Sequence, residues 1–373
     1  MTADGAAGRR IVVCGGGAIG AATAYFLARR GARPIVVERH AVGGAASGKS
    51  GGFLALDWCR GTALDRLARR SFALHAELAE QLDNPWLYRR LDTFGGWLGE
   101  REAPTPGRPW LSRRVALSGR LGSPRTTALV EPHAFTTGLM RAAEREGAAL
   151  RLGTVGGLVR DAAGASVGVA LESGEVVEGD AVVVALGPWS ILATRWLPLP
   201  AVWGFKGHSL ILDTGNALPA EALFLETRAP DGEALAPELM PRADGTTWLC
   251  AISSQSALPV DPAAVAPDDG APARLEALAR AIAPALAAAP IVARQACYRP
   301  VTEDGLPLIG AVPGVPGAFV ATGHSVWGML NAPATGEAMA ELILDGAART
   351  VDLAPFAPGR LRPYSAAFTR ARS

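Results

Sequence analysis

Residues 10–39 read RIVVCGGGAIGAATAYFLARRGARPIVVER. A β-branched run, Ile11 to Val13, leads into Gly15-x-Gly17-x-x-Gly20, and Ala18 and Ile19 open an amphipathic helix running to about Arg30. Gly31 ends that helix, and a second strand, Pro34 to Val37, finishes at Glu38 with Arg39 behind it. Each part has a task in holding a dinucleotide. Gly15 permits the tight turn, Gly17 lets backbone approach a pyrophosphate, and Gly20 lets helix and strand pack closely. The helix N-terminus offers unpaired N–H groups and a partial positive charge to the phosphates. Glu38, 23 residues after Gly15, stands where a carboxylate can accept hydrogen bonds from an adenosine ribose. Its charge would repel the 2′-phosphate of NADP. A ligand-free glycine-rich turn is the rival reading, but strand, helix and terminal acid in register favour the dinucleotide. The motif does not choose between NAD and FAD, which share the ADP half.

The bulk numbers bound the rest. A chain of 373 residues fits two domains or one large composite. With 49% hydrophobic residues and a formal charge of +1, it is expected to be soluble and globular, with no basic excess for nucleic acid or an anionic membrane. Of its 36 basic residues only Lys49 and Lys206 are lysines, a bias that fits a GC-rich genome and marks those two positions. Cys14, Cys59, Cys250 and Cys297 form no CxxC pair and share no metal-ligand spacing with the five histidines. Neither a disulfide framework nor a metal site is expected. The apolar run from Ile11 to Ala28 is broken by glycines and followed by Arg29-Arg30, which suits a β-turn-α unit better than a signal peptide or membrane span. With no other targeting segment, a cytoplasmic location is expected.

Three further segments bear on the cofactor. RHAVGGAASGKSGGF (39–53) sets Ser47, Lys49 and Ser50 among small residues, including Gly48 and Gly51, so that backbone can pass tightly along a flat ring or pyrophosphate. DAVVVALGPWS (180–190) is a buried strand ending in a turn at Gly187, with Trp189 beyond it. GLPLIGAVPGVPGAFVATGHSVWGMLNAPATGEAMAELILDG (305–346) gives a turn, a strand through Phe319 to Ala321, a glycine-rich loop and a long helix.

Together these segments resemble the D-amino-acid oxidase superfamily of flavoenzymes, which includes glycine oxidase and monomeric sarcosine oxidase. The resemblance covers residues 10 to about 346, in a branch marked by ASGKSGGFLALDWC and PRADGTTWLC. It implies FAD rather than NAD, and an α/β fold: a doubly wound, Rossmann-like FAD-binding domain with a second, antiparallel-sheet substrate domain. The FAD-binding domain would comprise 9–87, 131–200 and 293–373, and the substrate-binding domain 88–130 and 201–292. Ala103 to Pro109 reads as a loop, Phe135 to Glu146 as a helix, WGFKGHSLILD (203–213) and TTWLCAIS (246–253) as strands roofing the cavity, and 261–290 as surface loop and helix.

The resemblance also implies the chemistry: oxidation of a C–N bond in an amino acid or secondary amine to an imine, by hydride transfer to flavin N5, followed by hydrolysis. The substrate is then a small amine or amino acid, and the electrons go to oxygen or another acceptor. The segment Gly323 to Asn331, with Gly328, Met329 and Leu330, would place N–H groups at the flavin's polar edge, unless it is an ordinary strand-to-helix junction. In QACYRPVTEDGLPLIG (295–310), Cys297 has the spacing to Thr302 and Asp304 of the sarcosine-oxidase cysteine that bonds the flavin covalently. Tyr298-Arg299-Pro300 matches the line in which the other oxidases grip the substrate carboxylate. Cys297 is thus a covalent attachment point or an inert neighbour, and Arg299 a carboxylate anchor or half of a structural ion pair. His324 tunes flavin charge or caps its turn. Trp327 and Trp58 read as apolar walls, and His208 as within reach of the cavity. The sarcosine-oxidase lysine that activates oxygen aligns near Leu249, and its carboxylate lysine near Leu330, so both are missing here. Lys49 would stabilise charge at the ring, or else face a phosphate or solvent; Lys206 would be structural or on the rim. The missing lysine is the one support for the alternative, a flavin-binding scaffold or regulatory protein with little turnover.

Overall fold

The computed structural model describes residues 8–102 and 108–365; most of the expected loop at Ala103 to Pro109 lies outside them. Strand Arg10–Cys14 is the centre of a six-stranded sheet, flanked by Arg33–Glu38 and then Ala149–Leu152 on one side. On the other side come Ala181–Val184 and Ala318–Thr322, all parallel, with Leu308–Ala311 antiparallel at the edge. The central strands are apolar throughout because both faces are covered. Ile11 and Val13 point into a core made with the helices Ala18–Ala28, Asp65–Gln81, Pro132–Arg145 and Gly328–Asp345. Val12 and Cys14 point the other way, against a three-stranded antiparallel sheet formed from residues 155–178.

A second sheet runs in the order Ile291–Val301, Trp203–Asp213, Thr246–Ser254, Glu238–Pro241, Glu221–Arg228, Asp92–Leu98 and Val115–Gly122, with Ala234–Leu235 beside the fifth. Its neighbours are antiparallel except for the fifth and sixth strands. Leu210, Leu212, Leu239 and Leu249 alternate onto its outer face, under helix Ala271–Ile282; the residues between them face inward. The domain boundary expected at 293 falls inside strand Ile291–Val301, whose full pairing with Trp203–Asp213 makes it part of this sheet.

Two elements of the first layer are locked where they matter to the cavity. Pro333 lies within helix Gly328–Asp345 and has no N–H for the carbonyl four residues back, that of Met329. The His75 ring supplies the missing donor: Nε2 lies 3.0 Å from the Met329 oxygen and 3.2 Å from that of Leu330. Ser71 Oγ accepts from the Ala334 N–H at 3.1 Å, and Arg70 grips Glu337 through two N–H groups. The start of the last helix is thereby fixed to helix Asp65–Gln81.

Candidate active site

A cavity of about 760 Å³ is lined by residues of both layers. At one end lies the glycine turn. Gly15 has φ +108°, and a Cβ there would come within 2.5 Å of the Ala185 oxygen; a Cβ on Gly20 would come within 1.9 Å of the Gly15 oxygen. Gly17 caps the following helix with no side chain, so N–H groups of the first turn are left for a ligand. Ser47 Oγ accepts the Ala18 N–H at 2.9 Å, tying the small-residue loop to this turn. The Glu38 carboxylate accepts from Gly16 N–H at 2.7 Å and His40 N–H at 3.0 Å, which fixes it at the cavity edge.

A strap from the second layer closes over this end. Arg39 donates to the Val260 carbonyl at 3.0 Å, His40 meets Asp261 at 2.5 Å, and Trp189 donates to the Pro259 carbonyl at 2.8 Å. Pro262 and Ala263 line the cavity beneath it.

Further in, the loop through Ser47, Lys49, Ser50 and Gly51 forms one wall. Its carbonyls are held from the opposite sheet: Trp248 Nε1 and Gln295 Nε2 both donate to the Lys49 oxygen, at 3.0 and 3.1 Å, and Arg242 donates to that of Ser50 at 2.7 Å. The Trp248 ring packs against Gly51, where a Cβ would meet it at 2.9 Å. Lys49 itself has no ion pair among the described residues, and lines the cavity with its half-buried side chain.

At the far end are His324, Trp327, Gly328 and Met329. The last helix opens here without a side-chain cap. His324 is fully buried, which lowers its imidazole to about 3 and keeps it neutral at pH 7. Its Nε2 bonds Thr335 Oγ1 at 3.0 Å, while Nδ1 is buried with no partner. Overhead, Cys297, Arg299 and Gly207 share the inner face of the sheet. Arg299 donates to Ser253 Oγ at 2.7 Å. Burial raises the Cys297 thiol above its ordinary value, against the charges of Arg299 and Lys49.

A family model described as "FAD dependent oxidoreductase" matches residues 10–342. The chain belongs to this FAD-dependent oxidoreductase family. The chain is 30% identical to glycine oxidase of Pseudomonas aeruginosa, over 94% of this chain and 99% of that one. It superposes on the crystal structure of glycine oxidase from Geobacillus kaustophilus with a TM-score of 0.80, at 25% identity, covering 95% and 99% of the two chains. L-Proline dehydrogenase from P. horikoshii shares the fold at 20% identity and a TM-score of 0.77, covering 98% and 99%.

The oxidoreductase's own residues fit FAD. Backbone donors and Glu38 sit at one end for the ADP half, and the far end offers an uncapped helix N-terminus for the ring. Most residues singled out in the sequence lie on the cavity wall: Gly15, Gly17, Ala18, Ile19, Glu38 and Arg39 at one end, Gly187 and Trp189 beside them, and Trp58 toward the roof; the His208 ring is turned to Asp268, beside Lys206. Four of the residues expected to bind the cofactor do not reach it. Gly20 and Gly48 instead pack against backbone, the carbonyls of Gly15 and Gly43, and Gly323 packs against Thr302. The Leu330 side chain is buried in the helix core, next to the carbonyl that His75 binds. Lys206 is buried away from the cavity in an ion pair with Asp268, so it is structural. Leu249 is turned into the outer core, leaving Trp248 and Cys250 as the cavity-facing positions of its strand. His75, Glu238, Phe53 and Phe224 had not been singled out. The alternation of ELMP (238–241) marks Glu238 as facing opposite to Leu239, but not what it faces.

Proposed function

We infer that this oxidoreductase oxidises the C–N bond of an amino acid or secondary amine to an imine, which water then hydrolyses. The observation that carries this reading is Arg299: a guanidinium on the roof of an otherwise largely apolar chamber, in the same cavity as the residues that would hold FAD. A planar two-donor fork suits a carboxylate better than a lysine would. FAD, when bound, supplies the two-electron acceptor. The protein's share is placement and electrostatics. Arg299 holds the carboxylate, and Phe53, Trp58 and Phe224 exclude water around the rest of the molecule. The N–H groups at Gly328 and Met329 and the Lys49 ammonium put positive charge where the ring's polar edge would lie. His324, neutral, adds no charge there.

We read the flavin as noncovalent, with Cys297 an apolar neighbour, because burial keeps its thiol protonated. Acid precipitation checks this: colour released to the supernatant supports it, and colour in the pellet sinks it. The electrons pass to oxygen or another acceptor, and no cavity-facing lysine on the roof favours oxygen.

The test of the main reading is anaerobic mixing of the holoenzyme with a panel of D-, L- and N-alkyl amino acids. Bleaching of the flavin band by at least one, with the matching oxo acid or aldehyde formed, is the expected result. A flavin left oxidised by the whole panel overturns the reading and favours a flavin-holding scaffold.

A further inference from the structure

We propose that Glu238 receives the nitrogen of the substrate, so that Arg299 and Glu238 together select molecules carrying both a carboxylate and an amino group. This rests on the amine-oxidising reading above and names the feature of the substrate that the roof selects.

The argument begins with register. Glu238 and Met240 face the cavity from their strand, while Leu239 between them enters the outer core. Glu238 stands directly opposite Cys250 on the next strand, Thr246–Ser254. Arg299 is rooted on the edge strand Ile291–Val301, three strands from Glu238, or roughly 14 Å at the usual strand spacing. Gly207 on the strand between removes the obstacle: a Cβ there would come within 2.8 Å of an Arg299 terminal nitrogen. The guanidinium therefore crosses that strand and reaches Ser253 Oγ on Thr246–Ser254, the strand adjacent to that of Glu238. The two head groups end over neighbouring strands.

They nevertheless form no ion pair among the described residues. Among the described residues the carboxyl's side-chain hydrogen-bond partner is the Cys250 thiol, which leaves acceptor capacity for a ligand. A half-buried carboxyl costs free energy when it is so sparsely partnered. Burial raises its pKa, and the Arg299 charge acts against that rise. A counter-ion role would have closed the pair. An open gap between a fixed cation and a carboxyl instead fits a ligand that presents both complementary charges. A second carboxylate on the substrate would meet Glu238 unfavourably.

The neighbouring wall indicates the rest of the molecule. Phe224 is directly opposite Glu238 in the next strand, and its ring lies 4.9 Å from Phe53 and 4.8 Å from Trp58. An apolar side chain carried with the charged groups would rest on these three rings.

The test uses the FAD-loaded protein and three probes of one skeleton: phenylalanine of either hand, 3-phenylpropanoate and 2-phenylethylamine. Binding is read from the perturbed flavin spectrum, or from saturation of the reduction rate where the flavin is reduced. In E238Q, phenylalanine and phenylethylamine are expected to bind about tenfold weaker or worse, whereas 3-phenylpropanoate binds as well or better. Should E238Q not fold, E238D, which keeps the charge, must preserve the wild-type ranking of the probes. Equal weakening of all three, unchanged affinities, or no binding of any probe to wild type overturns the proposal. Glu238-dependent binding with a flavin that no amine reduces would uphold it and sink the oxidation reading alone.

Discussion

The two ends of the cavity are built by opposite means. The end at the glycine turn rests mainly on one stretch of about 30 residues that presents backbone: close-packed glycines, uncapped N–H groups and one carboxylate held by two amides. The roof is made of side chains from strands scattered over residues 203–301, and it depends on register rather than on sequence proximity. Backbone binding tolerates little change and recognises what many flavoproteins share. Side-chain binding can be altered residue by residue, and that is where specificity can diverge without loss of the fold.

The largest test of this contrast is Gly20→Val. The new side chain would collide with the Gly15 carbonyl, so the protein should lose about 3 kcal/mol or more of stability and be isolated colourless. A variant that keeps full flavin content would show that the clamp is more pliable than its contacts imply. Arg299→Gln should do the reverse: flavin content and Tm stay near wild type, while 3-phenylpropanoate binds roughly 100-fold weaker. Loss of flavin in this variant would mean that roof and clamp are not separable.

The last helix, which opens at the far end of the cavity, gives an effect of intermediate size. Burial lowers His75 from 6.5 to about 4. Between those values the unfolded chain binds a proton that the folded chain does not, so stability falls as pH drops. From pH 7 to pH 5 the loss from His75 should be about 2 kcal/mol. His75→Gln, whose amide can still donate to the carbonyls of Met329 and Leu330, should flatten that part of the profile in denaturant titrations at the two pH values. The smallest effect is expected of Trp248→Phe, which removes one donor to the Lys49 carbonyl while Gln295 keeps the other, costing about 1 kcal/mol by thermal melt. A much larger loss would make the roof, and not the clamp, the main support of the loop.

The clamp was legible because each of its requirements is local. A β-branched run, three glycines at fixed spacing and an acid at the second strand's end encode conformation and function in one segment. The roof strands at 203–213 and 246–253 were also readable from their alternation, and the cavity face of Arg299 followed from its motif. What could not be read was adjacency. Gly207 looks like any glycine in a strand until Arg299 is seen lying across it, and Leu249 looks available until its alternate face is known. His75 gives no signal in its own helix, since the need it meets arises from Pro333, some 250 residues away, in a different helix.

The amino-acid sequence alone thus determined the dinucleotide clamp, the parallel sheet around it and the flavoprotein family, because short-range sterics and backbone hydrogen bonding act within a few residues of their cause. Only the tertiary structure decided which side chains share the cavity face of the roof, Arg299 and Glu238 above all, because strand register and sheet order are set by the packing of distant segments and leave no mark at either position.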